Sequence, residues 1–163
     1  MIVGLSGSGK TTFALQLGEL TGLPVFHCDQ LDKRNGKHLA VKPRAKVYRD
    51  VHAKECWIIE GSLFAAKERL AFADTVIWLD RGIGSRLYRV MVRNLRYYGQ
   101  TRPGAPEVWK ERFRLRSYIK MWRTQKTGND RIAELLDAAP DEVQIYRFKS
   151  DGDSASFFEG LNC

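Results

Sequence analysis

Cysteine is scarce in this chain, and long apolar runs are missing altogether. The three thiols, Cys28, Cys56 and Cys163, are odd in number and show no C-x-x-C spacing. That argues against a disulfide framework and fits reduced thiols in a cytosol. Cys28 and Cys56 read as small buried apolar residues. No apolar stretch approaches the roughly 18 residues that span a bilayer, so no membrane partner is expected. The N-terminus has no basic segment leading into an apolar run, so no signal peptide is visible. The base-reading N-K-x-D and the D-x-x-G of guanine-nucleotide switches are also absent. Only three histidines occur, and no His, Cys and carboxylate group has metal-binding spacing. His27, His38 and His52 therefore read as core or surface residues. The 163 residues are few for a transporter or helicase ATPase and suit one domain, 1–163.

Negative charge is nearly missing from one contiguous third. Between Arg81 and Lys126, 13 Lys and Arg face 2 acids, Glu107 and Glu111, a local balance of +11. With +8 overall, the remainder carries −3. Segment 81–126 is thus expected to meet a polyanion: nucleotide phosphates, a phosphorylated substrate or nucleic acid.

What is present alternates between short β-branched runs and amphipathic stretches, the pattern of βα units and a parallel sheet. Strands are expected at Ile2-Val3, Val25–Cys28, Trp57–Ile59, Thr75–Leu79 and Val143–Phe148. Helices are expected at Thr12–Leu20, Pro43–Glu55, Ala65–Phe72 and Arg131–Ala138, with a short one at the C-terminus. Gln30–Lys42 reads as a loop. Two basic stretches, Ile83–Tyr98 and Trp109–Lys126, flank a turn-rich Gly99–Pro106. The fold class is α/β, a five-stranded parallel sheet with flanking helices, whose ligand sits at the carboxyl ends of the strands.

One motif decides the chemistry. Gly4-Leu5-Ser6-Gly7-Ser8-Gly9-Lys10-Thr11 matches G-x-x-x-x-G-K-[ST] in full, after a strand and before a helix. Its glycines let successive N–H groups converge on one anion, at a helix N-terminus whose dipole favours negative charge. Gly4, Ser6, Gly7, Ser8, Gly9, Lys10, Thr11 and Thr12 are the candidate phosphate contacts. Lys10 carries a point charge to the β- and γ-phosphates, and the Thr11 hydroxyl is a candidate Mg²⁺ ligand. Small-molecule kinases must also keep water from the phosphoryl group, commonly with a mobile basic lid. Segment 81–126 has the composition and position of such a lid.

The chain resembles the adenylate-kinase-like P-loop kinases, most closely the proteins labelled DNA topology modulation protein. The resemblance rests on the phosphate loop, His27-Cys28-Asp29, Trp57-Ile58-Ile59-Glu60-Gly61-Ser62, Ala73–Asp80, and Leu87-Tyr88-Arg89-Val90 leading to Thr101-Arg102-Pro103. It implies a five-stranded parallel sheet with a lid, and ATP as the donor. Two departures stand out. Only three residues precede Gly4, so the first strand is short and the native start is left open. Glu60 stands where adenylate kinases usually carry Asp before the glycine.

The remaining candidates follow from strand ends and helix faces. Asp29, past the second strand, is placed to orient or deprotonate an acceptor hydroxyl, with Asp32 the weaker alternative. Glu60 and Asp80 end strands expected to flank the first one. The resemblance favours Glu60 for the Mg²⁺ water shell, and Asp80 reads as a lid start or helix cap. Arg86, Arg89, Arg93 and Arg96 share one helical face, most of it expected to be solvated, with Leu87, Val90, Met91 and Leu95 packing on the other side. Arg93 and Arg102, with Arg123 behind them, are the candidates to fold over the triphosphate. Trp109, Phe113, Tyr118 and Trp122 interleave with the charges; the helical spacing of Leu115, Tyr118, Ile119 and Trp122 reads as packing, with base stacking on the four rings the alternative. Together these residues point to a kinase acting from Mg-ATP on a small-molecule acceptor. A nucleic-acid-binding ATPase using segment 81–126 is the alternative.

Overall fold

The computed structural model describes residues 1–34, 37–61, 63, 66–106 and 108–161, with backbone alone for 33–34, 37–38, 41 and 43. Ser62, Ala65, Glu107 and Cys163 lie outside the described residues, as does the side chain of His38.

Strand β1 (Ile2–Val3) runs through the phosphate loop into α1 (Lys10–Thr21), which ends on left-handed Gly22. Strand β2 (Val25–His27) passes directly into α2 (Cys28–Leu31), so Cys28 and Asp29 are helical. The segment read as a loop instead forms a small antiparallel ribbon, β3 (Lys33–Arg34) with β4 (Lys37–His38), and α3 (Val41–His52) follows. Then come β5 (Ile58–Glu60), α4 (Ala66–Leu70), β6 (Thr75–Leu79) and α5 (Ile83–Arg96). The chain finishes with α6 (Leu115–Arg123), α7 (Gln125–Asp137), β7 (Gln144–Phe148) and α8 (Asp151–Leu161). The basic stretch beginning at Trp109 turns helical only at Leu115.

The main sheet is parallel throughout, in the order β2-β5-β1-β6-β7. Alternation along the strands sorts side chains to two apolar layers. Val3, Val76 and Trp78 pack with Ala66, Leu70, Ile132 and Leu135. Ile2, Ile77 and Leu79 face the opposite way, onto Phe13, Phe148 and Phe158. Burial on both faces explains why β6 reads as an unbroken apolar run. The central β1 lies between β5 and β6, so Gly4, Glu60 and Asp80 emerge at one end of the sheet.

Candidate active site

The phosphate loop is shaped by glycines that no other residue could replace without movement. Gly7 has φ 80°, and a Cβ there would lie 2.6 Å from the Arg86 carbonyl oxygen and 3.0 Å from Val90 Cγ2. A Cβ on Gly4 would lie 2.7 Å from the Leu79 carbonyl oxygen. Ser8 N–H donates to the Leu5 carbonyl at 3.1 Å, closing the turn. Gly9, at φ 95°, caps α1 without any side-chain bond, which leaves the first-turn amides for a ligand. Lys10 Nζ donates to the Leu5 carbonyl at 3.1 Å, curling back along the loop. Burial lowers the Lys10 pKa, helped by Arg102 and Arg86 and opposed by Glu60 and Asp29.

Beneath the loop, Glu60 is buried and accepts two bonds on Oε1. Thr11 Oγ1 donates at 3.1 Å and His27 Nδ1 lies at 2.7 Å. A carboxylate can only accept, so His27 contacts it through Nδ1–H. Burial alone would raise the Glu60 pKa; the His27 bond, the Lys10 charge and the Thr11 bond outweigh it and hold the carboxyl below its ordinary range. Oε2 takes no bond from the described residues, and Glu60 lines the cleft. His27 and Glu60 are register partners across β2 and β5. His27, read from sequence as a core or surface residue, thus belongs to the site. Two polar residues ending adjacent strands were the only signal for it.

Asp80 does something different. Its Oδ2 accepts Arg147 Nη2 at 2.7 Å and Nε at 3.0 Å, and its Oδ1 accepts Asn129 Nδ2 at 3.3 Å. It therefore does not cap α5, whose N-cap is Gly82, and the Thr11 hydroxyl bonds Glu60 rather than Asp80. It anchors β7, where Arg147 also stacks over Trp78 at 4.1 Å.

Segment 97–114 closes one wall of the cleft. Gly99 N–H donates to the Glu111 carbonyl and Glu111 N–H to the Gln100 carbonyl, both at 2.9 Å. That clamp sets the Glu111 carboxylate between two arginines, Arg102 Nε at 2.8 Å and Arg93 Nε at 3.2 Å. Arg102 Nη2 lies 3.4 Å from Asp29 Oδ2, and Gln30 Nε2 donates to the Ala105 carbonyl at 3.3 Å, joining α2 to this segment. Asp32 is instead buried, accepts from Tyr48 Oη at 3.1 Å and does not line the cleft.

The two faces of α5 only partly follow the expectation: Arg96 is exposed and Val90 buried as expected, but the other three arginines find partners. Arg86 is buried, donating through Nε to the Ser6 carbonyl at 2.9 Å. Arg89 holds both Asp151 oxygens at 2.6 Å, linking α5 to α8. Met91 and Leu95 of the same helix are exposed. On α6 the expected packing residues Leu115, Ile119 and Trp122 are exposed too, while Tyr118 is half-buried and accepts from Asn94 Nδ2 at 2.8 Å. A helix laid over a polar cleft turns its guanidinium groups to polar partners, and periodicity gives a stripe without its direction. Arg123 is exposed and does not line the cleft; Lys120 and Thr124, on an adjacent face of the chain, do.

The cleft measures about 1530 Å³ and brings together the phosphate loop, Asp29, Glu60, Arg93 and Arg102. No family model and no curated protein matches this sequence. Solved structures do. A deoxyadenosine kinase from M. mycoides with the products dCMP and a flexible dCDP superposes with a TM-score of 0.61 at 14% identity, covering 99% of this chain and 97% of the other. The same kinase with bound dATP gives 0.59 at 14% identity, covering 99% and 98%. This is the P-loop kinase fold. In that fold the phosphate loop, Asp29 and Glu60 share one cleft, and three of the arginines nearest them, Arg86, Arg93 and Arg102, come from the segment between β6 and β7.

Proposed function

We propose that this chain is a small-molecule kinase that moves the γ-phosphoryl group of Mg-ATP to an acceptor hydroxyl. The observation that carries the reading is the convergence of Lys10, Thr11, Glu60, Asp29 and Arg102 on one cleft. The site suits a metal-bound triphosphate. It offers a glycine cradle with unpaired first-turn amides, a Thr11 hydroxyl bonded to an ionised carboxylate, and a free Glu60 oxygen. Thr11 and Glu60 would hold Mg²⁺, directly or through water, and the ion would offset charge on the β- and γ-oxygens. Gly4, Ser6, Gly7, Ser8, Gly9 and Thr12 would line the phosphates.

Asp29 orients the acceptor hydroxyl and takes its proton. The hydroxyl oxygen forms the new bond to the γ-phosphorus, and the bond to the β-bridging oxygen breaks, ADP leaving with that electron pair. Lys10, Arg93 and Arg102 neutralise the moving charge, for which Arg93 and Arg102 must release Glu111. Segment 81–126 acts as the lid of one domain, 1–163. The sequence motifs support placing the chain with the topology modulation proteins.

Phosphoryl transfer is tested by following ATP consumption with panels of nucleosides, nucleotides and small metabolites. Little turnover alone and strong stimulation by one acceptor is the expected result. Failure of Mg-ATP and Mg-ADP to bind in calorimetry refutes the reading.

A second reading has one observation in its favour. Trp109, Phe113 and Trp122 are exposed beside Lys110, Arg112, Arg114 and Arg116, an arrangement suited to a nucleic-acid-binding ATPase. Duplex binding should then weaken with a log–log salt slope near about −0.9 per phosphate neutralised. No binding at low salt excludes it.

A further inference from the structure

A second cavity, of about 550 Å³, opens beyond the Asp29–Arg102 pair, between α5 and segment 105–117. It meets the main cleft at Ser6, Asp29, Val90, Arg93 and Arg102. Its size is that of a small-ligand site.

Three features define what it can hold. Lys110, Arg112 and Arg114 line it, are exposed, and their side chains make no bond to the described residues. The two lining acids are already engaged, Glu111 by Arg93 and Arg102, and Asp29 by Arg102. Among the described residues the cavity therefore presents uncompensated positive charge. Asn94, only 5% exposed, also lines it, and its Oδ1 has no partner while its Nδ2 is spent on Tyr118. Trp109 supplies an apolar wall.

We infer that this cavity is the acceptor site, and that the acceptor is a small organic anion bearing hydroxyl groups, a phosphate ester or a carboxylate. The inference rests on the kinase reading. The anion lies against Lys110, Arg112 and Arg114, and the reacting hydroxyl reaches Asp29 at the junction with the triphosphate. The Glu111 carboxylate already sits between Arg93 and Arg102, so the pair accepts an anion of carboxylate size. A polynucleotide tracks an open surface, whereas this cavity of about 550 Å³ has the size for a small ligand.

Matched pairs decide the matter: deoxyadenosine against dAMP, ribose against ribose 5-phosphate, glycerol against glycerate. Each is titrated by calorimetry into the full chain, with and without saturating Mg²⁺ and a non-hydrolysable ATP analogue. The charged member of at least one pair should bind tenfold or more tighter than its neutral twin. The phosphate and carboxylate arms say which anion is read. The double variant Arg112→Ala/Arg114→Ala should erase the preference and leave analogue uptake within twofold. Equal binding of the twins, no binding by any charged member, or a preference that survives the double variant overturns the inference. So does displacement of the bound anion by a duplex oligonucleotide. The arm without nucleotide keeps the outcomes apart: if the ATP analogue fails to bind, the kinase reading falls, while the anion preference still reports on the cavity.

Discussion

Replacing Glu60 by Gln keeps the shape of the side chain and removes its charge. In the native protein Oε1 accepts from His27 Nδ1 at 2.7 Å and from Thr11 at 3.1 Å, with Lys10 attracting the same carboxylate. A hydrogen bond to an ionised group contributes about 1.5–3 kcal/mol, against about 0.5–1.5 for a neutral one. The difference, about 1 kcal/mol for each of the two bonds and partly offset by the cost of burying the charge, leaves about 1 kcal/mol as the cost of Glu60→Gln at pH 7, or roughly 2–4 °C in melting temperature for a chain of this size. The pH dependence fixes the sign. The folded carboxyl lies below its ordinary value of 4.5. Its contribution is therefore present above that pH and is lost as pH falls through the depressed value. Urea melts from pH 7 to pH 3 should show the wild type losing this increment on the acid limb, so that the two proteins converge. The Mg²⁺ concentration for half-maximal turnover should rise at least tenfold, because a neutral amide polarises metal-bound water less. Parallel stability curves between pH 5 and pH 3, or a variant more stable at pH 7, would refute the account of a buried carboxylate held ionised by its neighbours.

Gly7→Ala places a methyl group 2.6 Å from the Arg86 carbonyl at φ 80°; calorimetry should show ATP affinity falling by roughly a hundredfold, from about 1–3 kcal/mol of strain or a displaced loop. Arg102→Ala should lower kcat by about a thousandfold while ATP affinity changes little, as for an arginine acting on the transferred group. Arg123→Ala, exposed and outside the cleft, should leave turnover within about twofold by the same assay. Arg86→Ala frees the Ser6 carbonyl, held at 2.9 Å, and should weaken ATP binding about tenfold without altering acceptor preference.

The shape of the loop from Gly4 to Thr11 was readable without coordinates. Gly4 to Thr11 combine an anion-binding motif with a preceding strand and a following helix, and all three signals are contiguous in the chain. The strands of the main sheet were legible to within a residue at each end, β1 and β6 to the residue, and in β6 because burial on both faces demands an unbroken apolar run; the β3–β4 ribbon was not. The parallel sheet followed from the alternation of strands with helices. Direction and partnership were not legible. Arg86, Arg89 and Arg93 look alike as a stripe with helical period, yet one bonds the Ser6 carbonyl, one Asp151 and one lies beside Glu111. His27 gained its partner only because β2 and β5 align it with Glu60 across 33 positions of sequence. Asp80 lost its expected place because Arg147, 67 residues away, neutralises it. A motif fixes which atoms are available near one another along the chain. Which charge meets which, across a sheet or beneath a lid, is settled by packing between distant segments, and only the tertiary structure decided that.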